Sequence, residues 1–371
     1  MLDTLRRYSD RLLGRGHAAI TVPVMDGALK PNRVLDDAER VATRAGLDDL
    51  ASDGQALFVS AGPVLLRLDG ERLVELRRFD ADISALAAAP GGLLAVALEG
   101  RSVRLLSHAG GAWAERARLD RIGDVPLVGV NALQFEGVDA LLLSDGSMRH
   151  GPADWCRDLM EKGRSGRVAR WRFGGGIDGG RAELLAEGLR HAFGVLPLGG
   201  TVLYSESWRH RVARSPASGN GALLADLPGY PSRMAPAAGG GFWLSCFVCR
   251  TQLVEFVLRE DAYRSRMLAS VDPRYWIAPA LRSGVSYLEP LQGAGVKQMG
   301  VLKPWAPPRS YGLVLRVDAA GRTLRSLHSQ VDGQYHGITA VAEFGGALYV
   351  ASKGSGHLLR VPLDVHPGAP A

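Results

Sequence analysis

One short pattern recurs six times along the chain and constrains its fold more than any other feature. An apolar strand ends in a small residue or serine, and a loop and an arginine-containing strand follow; the copies begin at Ala56, Leu93, Ala140, Thr201, Gly241 and Ala347. Turn sequences at residues 69–70, 318–321 and 345–346 indicate hairpins between short strands. Radial repetition of such hairpins is typical of a propeller. We therefore predict an all-β fold, a six-bladed β-propeller with short helical insertions.

Two long gaps separate copies of this pattern. Residues 152–164 and 251–281 carry apolar side chains at helical spacing, so we interpret both as helical insertions between strands. Residues 272–309 are rich in Gly, Pro and aromatic residues, and they form a candidate lid over the channel or a dimer contact. The 371 residues fit one long all-β domain. We expect an N-terminal segment, 1–40, that wraps onto a single propeller formed by 41–365.

Composition argues against several classes of partner. The formal net charge is +6, but the arginines are scattered and form no recognisable nucleic-acid-binding module. The sequence shows neither a signal-peptide pattern nor an apolar run of about 18 residues. Three cysteines, Cys156, Cys246 and Cys249, are too few for a disulfide framework. We expect a cytoplasmic protein that binds a small molecule and neither nucleic acid nor a membrane, with its oligomeric state left open.

The common catalytic motifs are missing, which directs attention to the channel of the predicted propeller. Residues 174–179 match G-x-G-x-x-G formally, but they lack a βαβ context, so we interpret them as a hairpin turn. The sequence contains no G-x-S-x-G elbow, P-loop or H-E-x-x-H motif. In a propeller, the loops that enter the innermost strands converge on one mouth of the channel. That mouth is the natural ligand site.

Several blocks of the sequence carry a likeness to a known family. They are GLDDLASDGQALFVSAG (46–62), VNALQFEGVDALLLSDGS (130–147), RHAFGVLPLGGTVLYSESWRHRVAR (190–214), LPGYPSRM (227–234), KPWAPPRSYGLVLR (303–316) and the continuation to residue 352. Together they resemble bacterial strictosidine-synthase-like proteins, which are relatives of the paraoxonase and gluconolactonase (SMP-30-like) propellers. The resemblance implies ester or lactone hydrolysis as the first hypothesis. A non-catalytic ligand-binding or scaffold propeller and an amine–aldehyde condensation are the alternatives.

The resemblance also bears on calcium, which hydrolytic relatives hold on the channel axis with acidic and amide side chains. A hard cation of this kind needs about six to eight oxygen ligands. Asp48, Asp49 and Asn131 fall on ligand positions of the family, whereas Phe193 and Arg233 stand where relatives have further ligands. Calcium is therefore expected only if a degenerate site built on Asp48, Asp49 and Asn131 survives.

Arg233 suggests a different cation at this place. A guanidinium has five donors in a rigid fork and stays charged, so it would bind a carboxylate or polarise a carbonyl without a metal. We expect Asp48 to be its partner across the channel; alternatively, the ion pair closes the channel and does no chemistry. The glutamate that strictosidine synthases use as acid and base falls on Thr339, which cannot exchange a proton at neutral pH.

Two histidines precede strands that enter the predicted channel, and either would serve as a base near pH 7. We favour His336 over His191 as the base. Glu206 follows an inner strand and either contacts the substrate or pairs with Arg209 or Arg211. The predicted site thus consists of catalytic His336, Arg233 and Asp48 and of substrate-binding Asn131, His191, Glu206 and Phe193.

Overall fold

The computed structural model describes residues 22–109, 112–173, 180–215, 221–285 and 309–363, together with the short strands 297–298 and 301–302. In this part of the chain, six four-stranded antiparallel sheets surround a central channel. The predicted six-bladed β-propeller is therefore confirmed.

Each blade is a meander whose first strand lines the channel. The chain first forms β1 (Glu39–Thr43), which belongs to the last blade. The strands of blades one to three, with the separate hairpin β10–β11, are β2 (Leu47–Ser52), β3 (Leu57–Ala61), β4 (Val64–Asp69), β5 (Arg72–Arg78), β6 (Ile83–Ala89), β7 (Leu93–Leu98), β8 (Ser102–Ala109), β9 (Ala112–Leu119), β10 (Arg121–Ile122), β11 (Val125–Pro126), β12 (Val130–Phe135), β13 (Ala140–Asp145), β14 (Gly166–Arg172) and β15 (Arg181–Leu189).

Blades four to six continue this order around the axis. Their strands, with the separate hairpin β22–β23, are β16 (Ala192–Leu198), β17 (Thr201–Glu206), β18 (Arg211–Arg214), β19 (Ala222–Leu224), β20 (Gly229–Pro236), β21 (Phe242–Cys249), β22 (Lys297–Gln298), β23 (Val301–Leu302), β24 (Gly312–Val317), β25 (Thr323–Ser329), β26 (Ile338–Phe344), β27 (Ala347–Ser352) and β28 (His357–Pro362).

The recurring sequence pattern falls on the second strand of every blade: β3, β7, β13, β17, β21 and β27. These strands are buried on both faces, because each blade packs between two neighbours. A strand buried on both faces reads as a continuous apolar run, which is the signal that repeats in the sequence. The pattern thus counts the blades, but it does not lie on the strands that line the channel.

The ring is closed by strand pairing between the two ends of the described chain. β1 pairs antiparallel with β28, so the N-terminal strand is the outermost strand of blade six. Before β1, residues 22–38 run beside β25 of blade five, where the backbone nitrogen of Leu35 donates to the carbonyl of His328. Closure of this kind protects the edges that an open ring of sheets would expose.

Helices cover the mouth of the channel. The segment within blade three contains α1 (Trp155–Met160), and the one within blade five contains α2 (Gln252–Arg259) and α3 (Asp261–Ser270). We call these three helices the cap; their buried side chains pack with Phe247 in one apolar cluster. None of the helices in the described residues is long and apolar enough to cross a membrane.

Parts of three predicted segments lie outside the described residues. They are the N-terminal residues 1–21, the turn at 174–179, and residues 286–296, 299–300 and 303–308 of the candidate lid. The described beginning of that lid, residues 272–285, includes Leu281, which lines a cavity at the channel mouth.

Candidate functional site

The site forms where the inner strands begin, because each of them is irregular there. The pairing of β2, β6, β12, β16, β20 and β26 with the following strand shifts register within the first few residues. Asp48, Ser84, Asn131, Arg233 and Thr339 all lie within these shifts. A bulge frees a strand from strict alternation and re-aims its side chains. The bulges therefore gather polar groups from different blades at one end of the channel.

Serines of the recurring pattern satisfy backbone groups that these irregularities release. Ser60 accepts a hydrogen bond from the backbone nitrogen of Asp49 at 2.9 Å, and Ser144 accepts one from Ala132 at 3.1 Å. Ser205 likewise accepts one from a backbone nitrogen, in blade four. A buried polar group without a partner is costly, so these three serines support the site from one strand away.

Arg233 lies at the centre of the site, and its guanidinium contacts four other inner strands: β2, β6, β12 and, through the carbonyl of Thr339, β26. Nε donates to the carbonyl of Asn131 at 2.8 Å and lies 3.0 Å from Oδ2 of Asp49. Nη1 donates to the carboxylate and the carbonyl of Asp48, both at 3.1 Å. Nη2 donates to the carbonyl of Ser84 at 2.7 Å. The expected ion pair with Asp48 is present, and the fork of donors is turned toward the protein itself.

The two aspartates beside Arg233 differ in their electrostatics. Burial raises the pKa of Asp48, but Lys353 and Arg233 together outweigh it and leave that pKa below its usual value. Lys353 contacts the second oxygen of Asp48 at 2.7 Å. Burial raises the pKa of Asp49 to about 6, although Arg233 acts in the opposite direction. Asp49 also accepts backbone hydrogen bonds from Leu50 and Leu86, each at 2.8 Å.

This difference predicts a pH-dependent contribution of Asp49 to stability. Its folded pKa of about 6 exceeds the ordinary value of 3.8, so the folded chain holds the proton more tightly. The contribution of Asp49 to the free energy of unfolding should therefore fall as the pH rises from about 4 to 6. Urea midpoints across this window should show that fall in the native chain and lose it in Asp49→Asn. A matched change at an exposed aspartate of the same blade, Asp69→Asn, should keep it; equal slopes in all three proteins would contradict the prediction.

Arg233 divides the channel into two cavities. On the side of the strand starts lies a cavity of about 30 Å³, which we call the mouth cavity. On the other side lies a cavity of about 370 Å³, lined mainly by alanine and other apolar side chains of the inner strands. The mouth cavity has room for a water molecule and carries most of the polar groups. Its walls include Asp48, Ser84, Asn131, Trp155, His191, Phe193, Phe247, Leu281, Thr339 and Lys353.

His191 forms part of the mouth cavity together with a buried aspartate. Its Nδ1 lies 3.3 Å from Oδ2 of Asp158, and the same oxygen accepts a hydrogen bond from Trp208 Nε1 at 2.8 Å. The imidazole stacks on Trp208 with 4.2 Å between ring centroids. Burial raises the pKa of Asp158, but hydrogen bonds from His191 and Trp208 outweigh burial and leave that pKa below its usual value. Because an ionised carboxylate only accepts, Nδ1 carries the proton and Nε2 presents its lone pair.

The other nitrogen of His191 faces Asn131. Nε2 lies 3.2 Å from Nδ2 of Asn131, which also donates to the carbonyl of Ala192. Gly146 makes room for this contact, since an added Cβ there would come within 2.2 Å of the Asn131 amide. The backbone of His191 has a positive φ of 58°, a region that non-glycine residues seldom occupy. Such conformations cluster at functional sites.

The structure does not bring His336 into this group. Its Nε2 contacts the carbonyl of Gln330 at 2.7 Å, and its Nδ1 lies 3.4 Å from the hydroxyl of Ser283. Burial lowers its pKa. Its side chain is absent from the walls of both cavities described here. His336 therefore lies at the entrance to β26 as the sequence indicates, but its ring points to neighbouring loops and not to Arg233.

Glu206 is also occupied elsewhere. Its carboxylate is buried and contacts Arg211 at 2.6 Å and Arg209 at 3.3 Å, as in the ion-pair alternative drawn from the sequence. Phe193, in contrast, lines the mouth cavity, and its ring lies 5.3 Å from the centre of the Arg233 guanidinium. Sequence reasoning missed two groups of the site. Asp158 lies in a helical insertion, α1. Lys353, one of few lysines in the chain, follows β27, the second strand of blade six.

The residues do not fit a calcium ion while Arg233 is in place. The guanidinium is in contact with six oxygen atoms: Oδ1 and the carbonyl of Asp48, Oδ2 of Asp49, and the carbonyls of Ser84, Asn131 and Thr339. That number of oxygens would suit a hard cation, but the guanidinium already fills the space between them. Within the described ranges, no three His, Cys, Asp or Glu side chains are grouped to hold a metal.

The fold and the site define a six-bladed β-propeller whose channel is divided by an ion-paired arginine. Its mouth carries a histidine–aspartate pair and a lysine. No family model matches the chain.

Proteins of known sequence or structure are similar to this chain over most of its length. The chain is 24% identical over 371 residues to the adipocyte plasma membrane-associated protein of Homo sapiens, covering 92% of this chain and 82% of the relative. A gluconolactonase from Xanthomonas campestris has a TM-score of 0.55 at 15% identity, covering 92% of this chain and 95% of its own. A calcium-binding protein, regucalcin, from Agrobacterium tumefaciens has a TM-score of 0.54 at 12% identity, covering 87% and 92%.

Identities this low show a shared fold. That fold, the six-bladed β-propeller, is the one that the sequence resemblance implies. The resemblance to bacterial strictosidine-synthase-like proteins and to their gluconolactonase and SMP-30-like relatives stays a prediction from the sequence.

Proposed function

We propose that the protein is a small-molecule hydrolase that opens a lactone or ester at the mouth of its channel without a resident metal. The observation that carries this proposal is the pair of His191 and Asp158: His191 lines the mouth cavity, its Nδ1 is held by the buried carboxylate of Asp158, and its Nε2 lies 3.2 Å from the amide of Asn131, which also lines that cavity. A base oriented by a carboxylate is the arrangement that activates water or a hydroxyl in many hydrolases. Solved propellers of the same fold include a gluconolactonase.

The reaction follows from these groups. The amide of Asn131 first moves away from Nε2 of His191. Nε2 then takes a proton from a water molecule in the mouth cavity as the water oxygen attacks the carbonyl carbon. The negative charge that develops on the carbonyl oxygen is stabilised by Lys353, whose side chain is 37% exposed. The C–O bond to the leaving oxygen then breaks, and that oxygen receives the proton from His191. Asp158 holds the imidazolium that exists between the two transfers.

Arg233 has a supporting role in this proposal. Its donors bind Asp48, Asp49 and the backbone, so they are not free to hold a substrate carbonyl. It instead fixes the starts of the inner strands and so the floor of the mouth cavity. This differs from the catalytic role expected from the sequence, and it follows the alternative in which the ion pair closes the channel.

A panel of γ- and δ-lactones and aryl esters tests the proposal. We expect hydrolysis of at least one substrate class, with the same rate after exhaustive chelation and after addition of calcium, because Arg233 occupies the oxygen-lined space. Protein-bound calcium should also be absent by elemental analysis. Hydrolysis that disappears with chelator and returns with calcium would contradict a metal-independent site.

A second function is favoured by one specific contact. Nε2 of His191 already faces the amide of Asn131 at 3.2 Å, so the lone pair is covered unless that amide moves. A propeller that binds a small molecule without turnover would keep this arrangement. A ligand that raises the melting temperature and is recovered unchanged after long incubation would support binding alone.

Amine–aldehyde condensation has less support. Thr339, at the position of the family's glutamate, donates its hydroxyl to the carbonyl of Asp48 at 2.5 Å and offers no carboxylate. As part of the same proposal we place the protein in the cytoplasm, acting on a small molecule with neither nucleic acid nor a membrane as partner. Three free thiols, of Cys156, Cys246 and Cys249, agree with a reducing compartment.

A further inference from the structure

A group of arginines lies on the same face of the propeller as the mouth, at blades three and four. Arg190 begins the loop between β15 and β16, Arg209 and Arg211 lie at the turn between β17 and β18, and Arg164 lies just before β14. All four positions are at the ends of strands that meet at the mouth side, because the start of β16 pairs with the end of β17. We call these residues the arginine cluster.

One carboxylate organises this cluster. Glu206 is fully buried; its Oε1 accepts from the backbone nitrogen of Arg190 at 2.9 Å, and its Oε2 accepts from Arg211 Nε at 2.8 Å. Nε of Arg209 lies 3.3 Å from Oε1. The contacts draw Arg209 and Arg211 to the backbone of Arg190. Glu206 thus fixes the positions of the arginines, but its single charge cannot balance them.

The remaining positive charge is unpaired. Among the described residues, the guanidinium groups of Arg164 and Arg190 form no ion pair, while Arg209 and Arg211 share Glu206. Burial lowers the pKa of Arg190, and the like charges of Arg209, Arg164 and Arg211 lower it further. Like charges brought together in a half-buried place are unfavourable unless an anion offsets them.

We propose that the arginine cluster is a binding site for a phosphate group. Four guanidinium groups against one carboxylate leave an excess of positive charge that suits a dianion better than a carboxylate or chloride. The planar fork of arginine matches the oxygens of phosphate and binds two of them at once. The inference is independent of the hydrolysis proposed above, because no group of the cluster lines the mouth cavity.

Titration calorimetry with inorganic phosphate tests this site, in an amine buffer at constant ionic strength set with sodium chloride. We expect saturable binding to the full chain, at least about tenfold weaker binding in Arg190→Gln, and weaker binding of acetate than of phosphate. A matched change, Arg72→Gln, removes an exposed arginine at the outer strand of blade one and should leave phosphate binding unchanged.

The melting temperature of the ligand-free variants provides an independent reading. Arg190→Gln relieves repulsion between arginines, so without phosphate its melting temperature should be no lower than that of the native chain. Added phosphate should raise the melting temperature of Arg190→Gln less than that of the native chain. Three results would overturn the proposal: no saturable binding, an equal response to phosphate and chloride, or equal losses in Arg190→Gln and Arg72→Gln.

Discussion

Replacement of Arg233 by methionine is expected to destabilise the protein by about 3–5 kcal/mol. Two buried carboxylates, Asp48 and Asp49, would lose the cation that lies within 3.1 Å of each. The carbonyls of Ser84 and Asn131 would lose their donor in the same step. Because these four partners belong to three different blades, the loss should reduce the stability of the whole ring. The free energy of unfolding from urea titration measures the effect.

A matched arginine at the surface provides the control. Arg360 lies on β28 and pairs with Glu39 at 3.3 Å, with both side chains more than two-fifths exposed. Arg360→Met should cost at most about 1 kcal/mol, since exposed ion pairs contribute little. If Arg233→Met proves as stable as Arg360→Met, the guanidinium does not hold the inner strands together.

Replacement of Arg233 by asparagine tests whether the guanidinium occupies a space that suits a metal cation. Arg233→Asn removes the cation but leaves room among the six oxygens that surround it in the native chain. Added calcium should then raise the melting temperature of Arg233→Asn and leave that of the native chain unchanged, since a hard cation prefers such oxygens. Equal responses of both proteins would show that the guanidinium does not occupy a cation-binding space.

Replacement of His191 by glutamine is expected to lower the rate of lactone or ester hydrolysis by about 10²–10⁴-fold. Glutamine preserves polarity at the mouth cavity but cannot accept and return a proton. The fold should persist, because Asp158 keeps its hydrogen bond from Trp208. The kcat and KM of both proteins, with melting temperatures as a check on folding, measure the effect, which should fall mainly on kcat.

Two further variants identify the base. Asp158→Asn should lower kcat as well, because an amide at that position no longer fixes the proton on Nδ1 of His191. His336→Gln should change kcat by no more than a few-fold, since its ring contacts Gln330 and Ser283. A large loss in His336→Gln with an active His191→Gln would restore the base that the sequence favoured.

The fold was accessible from the sequence because the second strand of each blade is buried on both faces. Burial on both faces leaves few residue types that fit these strands, so the apolar run and the small residue or serine recur in all six copies. The pairing of Asp48 with Arg233 was accessible for a related reason. Both lie on inner strands, where the pairing near the strand start is irregular, and in a closed ring such positions meet on one axis.

The different surroundings of the two histidines are visible only in the tertiary structure. His191 and His336 have the same place relative to an inner strand. Among the residues that the structure describes, His191 contacts a carboxylate, supplied by a helix inserted 33 residues earlier, and His336 contacts none. Lys353 reaches Asp48 across 305 residues of chain. Such contacts depend on how bulges and inserted helices re-aim side chains, and no periodic signal encodes that.

The sequence by itself determined the ring of six blades, the end of the channel that carries polar groups, and the presence of a cation there. Only the tertiary structure decided that the donors of this cation bind groups of the protein itself, and that Asp158 holds His191 beside the mouth cavity. The physical reason is that burial patterns repeat locally along a chain. The direction of one side chain, in contrast, depends on contacts from several blades at once.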